Sequence, residues 1–150
     1  MIDSMPTADV ANAERFERIG VAATPQIAAQ LRDEFARWLG RFFDLDAERS
    51  NDLVLAINEA LANCAEFAYV SSGVAGTMDL TARHDAAESS ITVVVTDRGV
   101  WRMTDAHDES RTRGRGIPLM RALSDVTAIE TSDDGTTVKM VWTNVRTVIS

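Results

Sequence analysis

The stretch INEALANCAEFAY, residues 57–69, carries the most informative helical pattern in this 150-residue chain. Apolar residues at helical spacing form one stripe of a helix predicted from about residue 46 to Tyr69: Leu53, Ile57, Ala60, Leu61, Cys64 and Phe67. Glu59 and Asn63 are four residues apart, so they lie one turn apart on one face. A carboxylate above a carboxamide suits a general base beside a magnesium-ligating oxygen. A solvated polar face with a weak helix pair is the alternative interpretation.

Outward from this helix, apolar periodicity predicts the remaining elements. Thr24-Pro25 marks the start of a first helix that ends near Phe43, because a hydroxyl N-cap precedes proline at the first helical position. Strands are predicted at 15–23, 77–84, 90–97, 126–131 and 136–143, and a short helix at 116–124. The order β-α-α-β-β-α-β-β predicts an α+β fold. We expect a two-layer α/β sandwich, with a mixed, mostly antiparallel sheet covered by helices on one face.

Asp97 ends SITVVVTD, the most apolar predicted strand, and is followed by Arg98-Gly99. A carboxylate half-sunk at a sheet edge needs hydrogen-bond donors, and the exocyclic amine of adenine is one such donor. A simple strand-ending Asp-x-Gly turn is the alternative.

The stretch SRTRGRGIPLM, residues 110–120, places glycines at 114 and 116 before a short apolar helix. Free amides and the positive dipole end of a helix attract phosphate, and arginine adds planar donors. We expect Arg113 and Arg115, rather than Arg111, to point toward such a ligand. A solvated loop and an RGG-like nucleic-acid segment are the alternatives, and the acidic chain disfavours the second.

The segment Asp134-Gly135-Thr136-Thr137 precedes the last predicted strand. A threonine hydroxyl at this place could contact a base or a bridging water. A turn that leads into a β-branched strand is the alternative interpretation.

Composition restricts the class of protein. The chain is 45% hydrophobic and 25% charged, with a formal net charge of -8, which argues against general affinity for nucleic acid or anionic membranes. The single Cys64 excludes a disulfide framework and favours a reducing compartment. No stretch approaches the length of a membrane span, and the N-terminus lacks the pattern of a secretory signal. We therefore expect a cytoplasmic protein with a flexible N-terminal arm at 1–14 and one domain at 15–150.

Four segments together resemble the N, G1, G2 and G3 boxes of the GHKL (Bergerat-fold) ATPase superfamily. They are, in chain order, INEALANCAEFAY, TDRGVW, TRGRGIPLMRAL and DDGTTVKMVW. The superfamily includes histidine-kinase catalytic domains, gyrase-type ATPases and anti-sigma-factor serine kinases of the RsbW type. The spacing of Glu, Asn and the final Ala-Tyr in the first box most resembles the RsbW type.

The resemblance implies a role for each matching residue. Asn63 corresponds to the magnesium-binding asparagine and Glu59 to the general base for phosphoryl transfer. Asp97 corresponds to the adenine-binding aspartate, and Gly99 to its paired glycine. The other nucleotide contacts implied are Arg113, Gly114, Arg115, Gly116 and Thr136. Residues 100–113 correspond to a short ATP lid.

The resemblance also implies a function. It indicates an ATP- and Mg²⁺-dependent serine/threonine protein kinase that acts as an anti-sigma factor. Its substrate would be a STAS-type antagonist, its other partner a sigma factor, and a homodimer is suggested. Val100 stands where a second glycine is common in the G1 box, so a non-catalytic module that sequesters a partner is the alternative.

Overall fold

The computed structural model describes residues 9–66, 76–98, 114–132 and 135–148, with the side chains of 9 and 114–116 excepted. These ranges contain three helices, α1 (Pro25–Phe42), α2 (Ala47–Glu66) and α3 (Gly114–Leu123). Their strands are β1 (Asp9–Ala11), β2 (Arg15–Ala22), β3 (Phe43–Asp44), β4 (Thr77–Asp85), β5 (Ser90–Asp97), β6 (Val126–Ser132), β7 (Gly135–Trp142) and β8 (Arg146–Thr147).

Six of the strands form one sheet in the order β1-β2-β4-β5-β7-β6. Each pairing within it is antiparallel in the described part of the chain, and β3 and β8 pair separately. The sheet and its helices confirm the predicted α+β class. The alternation of buried residues along β4, β5 and β7 gives the sheet one apolar face.

The helices cover that apolar face. Helix α1 buries Phe35, Trp38 and Leu39, and α2 buries Leu53, Ile57 and Leu61. Helix α2 packs against α1, β5 and α3, so it occupies the centre of the helical layer. This position brings the polar residues of α2 close to the end of β5.

Both long helices begin where the sequence indicates. The Thr24 hydroxyl accepts a hydrogen bond from the Ile27 amide at 3.2 Å, and Pro25 follows at the first helical position. The Asp46 carboxylate accepts from the Arg49 amide at 2.7 Å and so caps α2. Caps of this kind each stabilise a helix by about 1 kcal/mol.

The structure extends the sequence prediction in three places. Strand β1 lies inside the segment expected to be an arm, and its pairing with β2 ties residues 9–11 to the sheet. Strands β3 and β8 were not predicted. Helix α3 begins at Gly114 rather than at 116, since first-turn amides need no intrahelical partner and glycine is tolerated there. No helix in the described ranges is both long and apolar enough to cross a membrane.

Candidate functional site

Helix α2 carries the first two predicted site residues, Glu59 and Asn63. Glu59 is half-buried, whereas Asn63 is buried with only 4% of its surface exposed. The sequence placed Asn63 near the polar side of the helix, whereas the structure buries it within an α2 that packs against α1, β5 and α3. The Asn63 side-chain nitrogen Nδ2 has no hydrogen-bond partner in the described part of the chain. An unsatisfied buried amide costs about 1–3 kcal/mol, so this carboxamide is in the state expected of a ligand-binding group.

Asp97 is buried, with 1% exposure, at the last position of β5. Every second residue of β5 is buried, and Asp97 follows Ile91, Val93 and Val95 in this series. Its side chain therefore lies on the face that the helices cover. The sequence predicted a carboxylate half-sunk at the sheet edge, and the structure buries it more deeply. A buried carboxylate requires donors, and the neighbouring helix supplies one.

That donor is Cys64, the residue after Asn63. Its thiol is 1% exposed and forms a side-chain hydrogen bond to Asp97. Burial, followed by the charge of Asp97 and this hydrogen bond, raises the pKa of the Cys64 thiol well above its usual range. The thiol therefore stays protonated and can keep donating at neutral pH. The sequence indicated a small core residue, which is correct, but a tertiary contact of this kind leaves no periodic signal.

Thr136 lies directly opposite Asp97 in the β5–β7 pairing. Its hydroxyl oxygen Oγ1 is buried, and within the described residues it has no hydrogen-bond partner. Thr136 and Asp97 are therefore neighbouring buried polar residues on one face of the sheet. Asn63 directly precedes Cys64, the residue of α2 that contacts Asp97.

Gly135 is a residue whose importance the sequence only hinted at through its turn signal. It has a φ of +146°, and a Cβ added there would overlap the Asp97 carbonyl oxygen and approach the Arg98 Cα at 2.9 Å. The start of β7 therefore passes so close to the end of β5 that only glycine fits. This close approach sets the positions of Asp97 and Thr136 relative to each other.

Helix α3 begins with Gly114, Arg115 and Gly116, three of the predicted phosphate-binding positions. First-turn amides of a helix have no intrahelical acceptors and carry the positive end of its dipole. Because α3 packs against α2, these residues belong to the same helical layer as Asn63. Gly99, Val100, Arg113 and the rest of the predicted lid lie outside the described residues.

The chain was compared with known proteins at the level of sequence families. A sequence model described as the histidine kinase-like ATPase domain matches residues 21–142. The chain belongs to the histidine kinase-like ATPase family. Membership implies that this domain binds ATP, and it accounts for the match between the four sequence boxes and the GHKL superfamily. A comparison with curated proteins finds no match.

Eight chains of solved structures match this ATPase domain. One is a crystal structure of the RsbU and RsbW domains of Rv1364c from Mycobacterium tuberculosis, with a TM-score of 0.66 and 21% sequence identity. The alignment covers 89% of this chain and 32% of that one, so the present chain spans about a third of that protein's length. The likeness agrees with an RsbW-type ATPase fold.

Asn63 is a residue that could hold a nucleotide-bound magnesium ion. Among the described residues, no three His, Cys, Asp or Glu side chains are grouped as a metal site. Magnesium commonly takes one or two protein oxygens and completes its shell with water and substrate phosphates. The unsatisfied carboxamide of Asn63 offers one such oxygen, since a rotation of the amide exchanges its oxygen and nitrogen.

Proposed function

We propose that this domain is an ATP- and Mg²⁺-dependent serine/threonine protein kinase that acts as an anti-sigma factor. The observation that carries the proposal is that the buried side chains of Asn63 and Thr136 each have a polar atom without a partner among the described residues, and that Thr136 lies opposite the buried Asp97. On an ATPase fold, such groups are best explained as contacts to a nucleotide. The likeness to the RsbW domain of Rv1364c supports the choice of a protein kinase of this type.

The nucleotide-binding residues act by positioning. Asp97 accepts a hydrogen bond from the adenine amine, and Cys64 holds the carboxylate from the helix side. Thr136 donates or accepts at the base or at a bridging water, and Gly99 leaves room beside the base. The amides of Gly114, Arg115 and Gly116 bind phosphate oxygens, and the guanidinium groups of Arg113 and Arg115 add positive charge.

The catalytic residues share one face of α2. Asn63 holds the nucleotide's magnesium ion, which when bound neutralises charge on the phosphate oxygens. Glu59, one turn earlier and half-buried, orients the substrate hydroxyl and accepts its proton as the oxygen attacks the γ-phosphorus, while the bond to the β-phosphate oxygen breaks and ADP leaves. The remaining contribution is alignment of the hydroxyl with the phosphate, since phosphoryl transfer relies mostly on positioning and electrostatics.

The protein partners in this proposal are a STAS-type anti-sigma-factor antagonist, which is phosphorylated on Ser or Thr, and a sigma factor, which the domain sequesters. Two copies of the domain form a homodimer, and the reactions take place in the cytoplasm. Neither nucleic acid nor a membrane is a direct partner, as the net charge of -8 favours.

Transfer of γ-phosphate to a STAS protein encoded beside this chain tests the proposal. We expect Glu59→Ala to slow transfer about a hundredfold or more while ATP still binds, because a positioned base contributes about that much. Asn63→Ala should abolish both binding and transfer. Glu48→Ala, an exposed acidic residue on the same helix, is the matched control and should transfer normally. Equal transfer by all four proteins would contradict the roles assigned to Glu59 and Asn63.

The second candidate is a module that sequesters a partner without catalysis, which Val100 in the second G1 glycine position favours. Calorimetry with Mg-ATP separates the two. Absence of nucleotide binding in the wild-type protein would leave only the sequestering function, whereas binding together with transfer would exclude it.

A further inference from the structure

A second surface lies at the β1 edge of the sheet, with β2 and β4 between it and β5, which carries Asp97. It is a groove of about 530 Å³ between α1 and the strands β1 and β2, and we call it the α1 groove. The residues that matter to its chemistry are Phe16, Arg18, Arg37, Trp38, Arg41 and Phe42. None of these residues belongs to the proposed nucleotide site.

The floor of the α1 groove is aromatic and well ordered by contacts. The rings of Phe16 and Trp38 lie 5.7 Å apart, and both side chains are almost fully buried. The Trp38 indole N–H donates to the Asn12 carbonyl at 2.7 Å, which fixes the ring. Phe42 is only half-buried and extends the apolar surface toward the exposed Val148, whose amide donates to the Phe42 carbonyl at 2.9 Å.

The charge of one groove arginine, Arg18, is balanced by an ion pair. The Arg18 guanidinium lies 2.8 Å from the Glu34 carboxylate and sits over the Phe16 ring at 4.4 Å. Burial works to raise the pKa of Glu34, but hydrogen bonds from Arg18 and Gln30 and the nearby charges of Arg18 and Arg37 outweigh it, so that pKa is lowered. Glu34 therefore remains ionised and paired with Arg18 at neutral pH.

The other two arginines, Arg37 and Arg41, are not paired in this way within the described residues, and Arg37 acts on Glu34 only through its charge. They are exposed, they lie one turn apart on α1, and no carboxylate among the described residues is within ion-pair distance of either. Arg41 is placed over the Phe42 ring at 5.3 Å. A chain with a net charge of -8 thus presents, beside an aromatic floor, two exposed guanidinium groups that form no ion pair with the described residues.

We propose that the α1 groove is a docking site for an acidic, leucine-bearing segment of a partner protein. Two carboxylates about one helical turn apart would reach Arg37 and Arg41, which offer planar donors matched to carboxylate oxygens. An apolar side chain between them packs on Phe42 and the edge of Trp38. Because the groove is remote from Asp97, docking there goes beyond phosphoryl transfer and does not depend on the proposed kinase function.

The charge of the whole molecule selects the kind of partner. A long polyanion such as nucleic acid is repelled by the net negative chain, whereas a short acidic segment meets mainly the local positive field. Charge complementarity of this kind sets specificity and the rate of encounter, and it weakens as salt is added.

The test uses two fluorescein-labelled helical peptides and two charge-matched variants of the full chain. One peptide carries glutamate every fourth residue with leucines between, and the other replaces each Glu with Gln. The groove variant is Arg37→Glu with Arg41→Glu. The control is Arg83→Glu with Lys139→Glu, which removes two exposed cations from β4 and β7.

We expect the acidic peptide to bind the wild type and the control alike, and the groove variant about tenfold or more weakly, with salt weakening the binding. The Gln peptide should also bind the wild type about tenfold more weakly. Circular dichroism checks folding, and Arg37→Gln with Arg41→Gln replaces the groove variant if it fails to fold. Equal binding to both variants, or no binding to the wild type, would overturn the proposal.

Two further outcomes would also overturn it. A dimer of the wild type that sedimentation shows to dissociate in the groove variant would make a second copy of this chain the occupant. A labelled oligonucleotide whose binding depends on Arg37 and Arg41 would make nucleic acid the occupant.

Discussion

At the scale of single residues, Asn63 shows a conflict between stability and binding. Its carboxamide is buried and Nδ2 has no partner among the described residues, which lowers the free energy of unfolding in the absence of a ligand. We expect Asn63→Ala to leave the nucleotide-free melting temperature unchanged or raised, because the cost of the unsatisfied amide offsets the cavity that the substitution creates.

Differential scanning fluorimetry measures the melting temperature of each protein with and without nucleotide. Mg-ATP should raise the melting temperature of the wild type but not of Asn63→Ala. Asn58→Ala, a half-buried asparagine on the same helix, should keep the shift. A large loss of stability in nucleotide-free Asn63→Ala would mean that the side chain has a structural role instead.

Cys64 makes the free energy of unfolding fall as pH rises into the alkaline range. Burial and the contact with Asp97 hold the pKa of the folded-state thiol well above its usual range, while the unfolded thiol ionises near pH 8.5. The protonated thiol therefore makes its full contribution to the free energy of unfolding below about pH 8.5, and this contribution is lost as pH rises toward the folded-state pKa.

Urea unfolding across a pH series under reducing conditions measures the effect. Above about pH 8.5 the free energy of unfolding should fall faster for the wild type than for Cys64→Ala, by at most about 1.4 kcal/mol per pH unit. Parallel pH profiles for the two proteins would show that the thiol is not held in its protonated form.

At the scale of elements, the β5–β7 pairing depends on Gly135. An alanine there would place its Cβ against the Asp97 carbonyl and would also require a φ of +146°. We expect Gly135→Ala to lower the free energy of unfolding by about 2 kcal/mol or more, because both the overlap and the backbone strain must be accommodated.

The matched control for that substitution is Gly40→Ala in α1, where an added Cβ meets nothing within 4 Å. It should stabilise the protein by about 0.5–1 kcal/mol, since alanine is the better helix former. Chemical denaturation of both variants gives the change in the free energy of unfolding. A change of the same sign in the two variants would refute the close approach of β7 to β5.

The length of an element decides whether the sequence could predict it. Strand β5 alternates over eight residues and was predicted with its observed bounds, 90–97. Strands β3 and β8 have two residues each and β1 has three, so none is long enough to show a period. Their existence depends on partners distant in the chain, as Phe43 opposite Thr147 illustrates.

The candidate site also contains features that the sequence predicted and features that it did not. The box motifs indicated Glu59, Asn63, Asp97 and Thr136, and the structure buries the last three. The burial of Asn63 and the contact of Cys64 with Asp97 arise from how α2 packs on α3 and β5. Such packing is a property of the assembled layers, which local spacing in the sequence does not encode.

At the scale of the whole molecule, nucleotide binding and folding should be linked. A ligand that binds only the folded state stabilises it by about 2.7 kcal/mol at a hundred times its dissociation constant. We expect Mg-ATP to raise the urea midpoint of the wild type and EDTA to remove most of that increase, if magnesium bound through Asn63 contributes to affinity. Magnesium-free buffer with ATP alone is the reference, and an increase insensitive to EDTA would count against the magnesium role.

The pairing of Asp97 with Thr136 also has a consequence for synthesis on the ribosome. The two residues are adjacent in the sheet, yet residues 98–135, which include α3 and β6, lie between them in the chain. A nascent chain that has exposed only β5 holds its carboxylate but lacks the opposing strand, and contacts between such distant segments form late. Capture of ATP is thus expected only after β7 has left the exit tunnel, so nucleotide binding reports that both strands carrying Asp97 and Thr136 have been synthesised and paired.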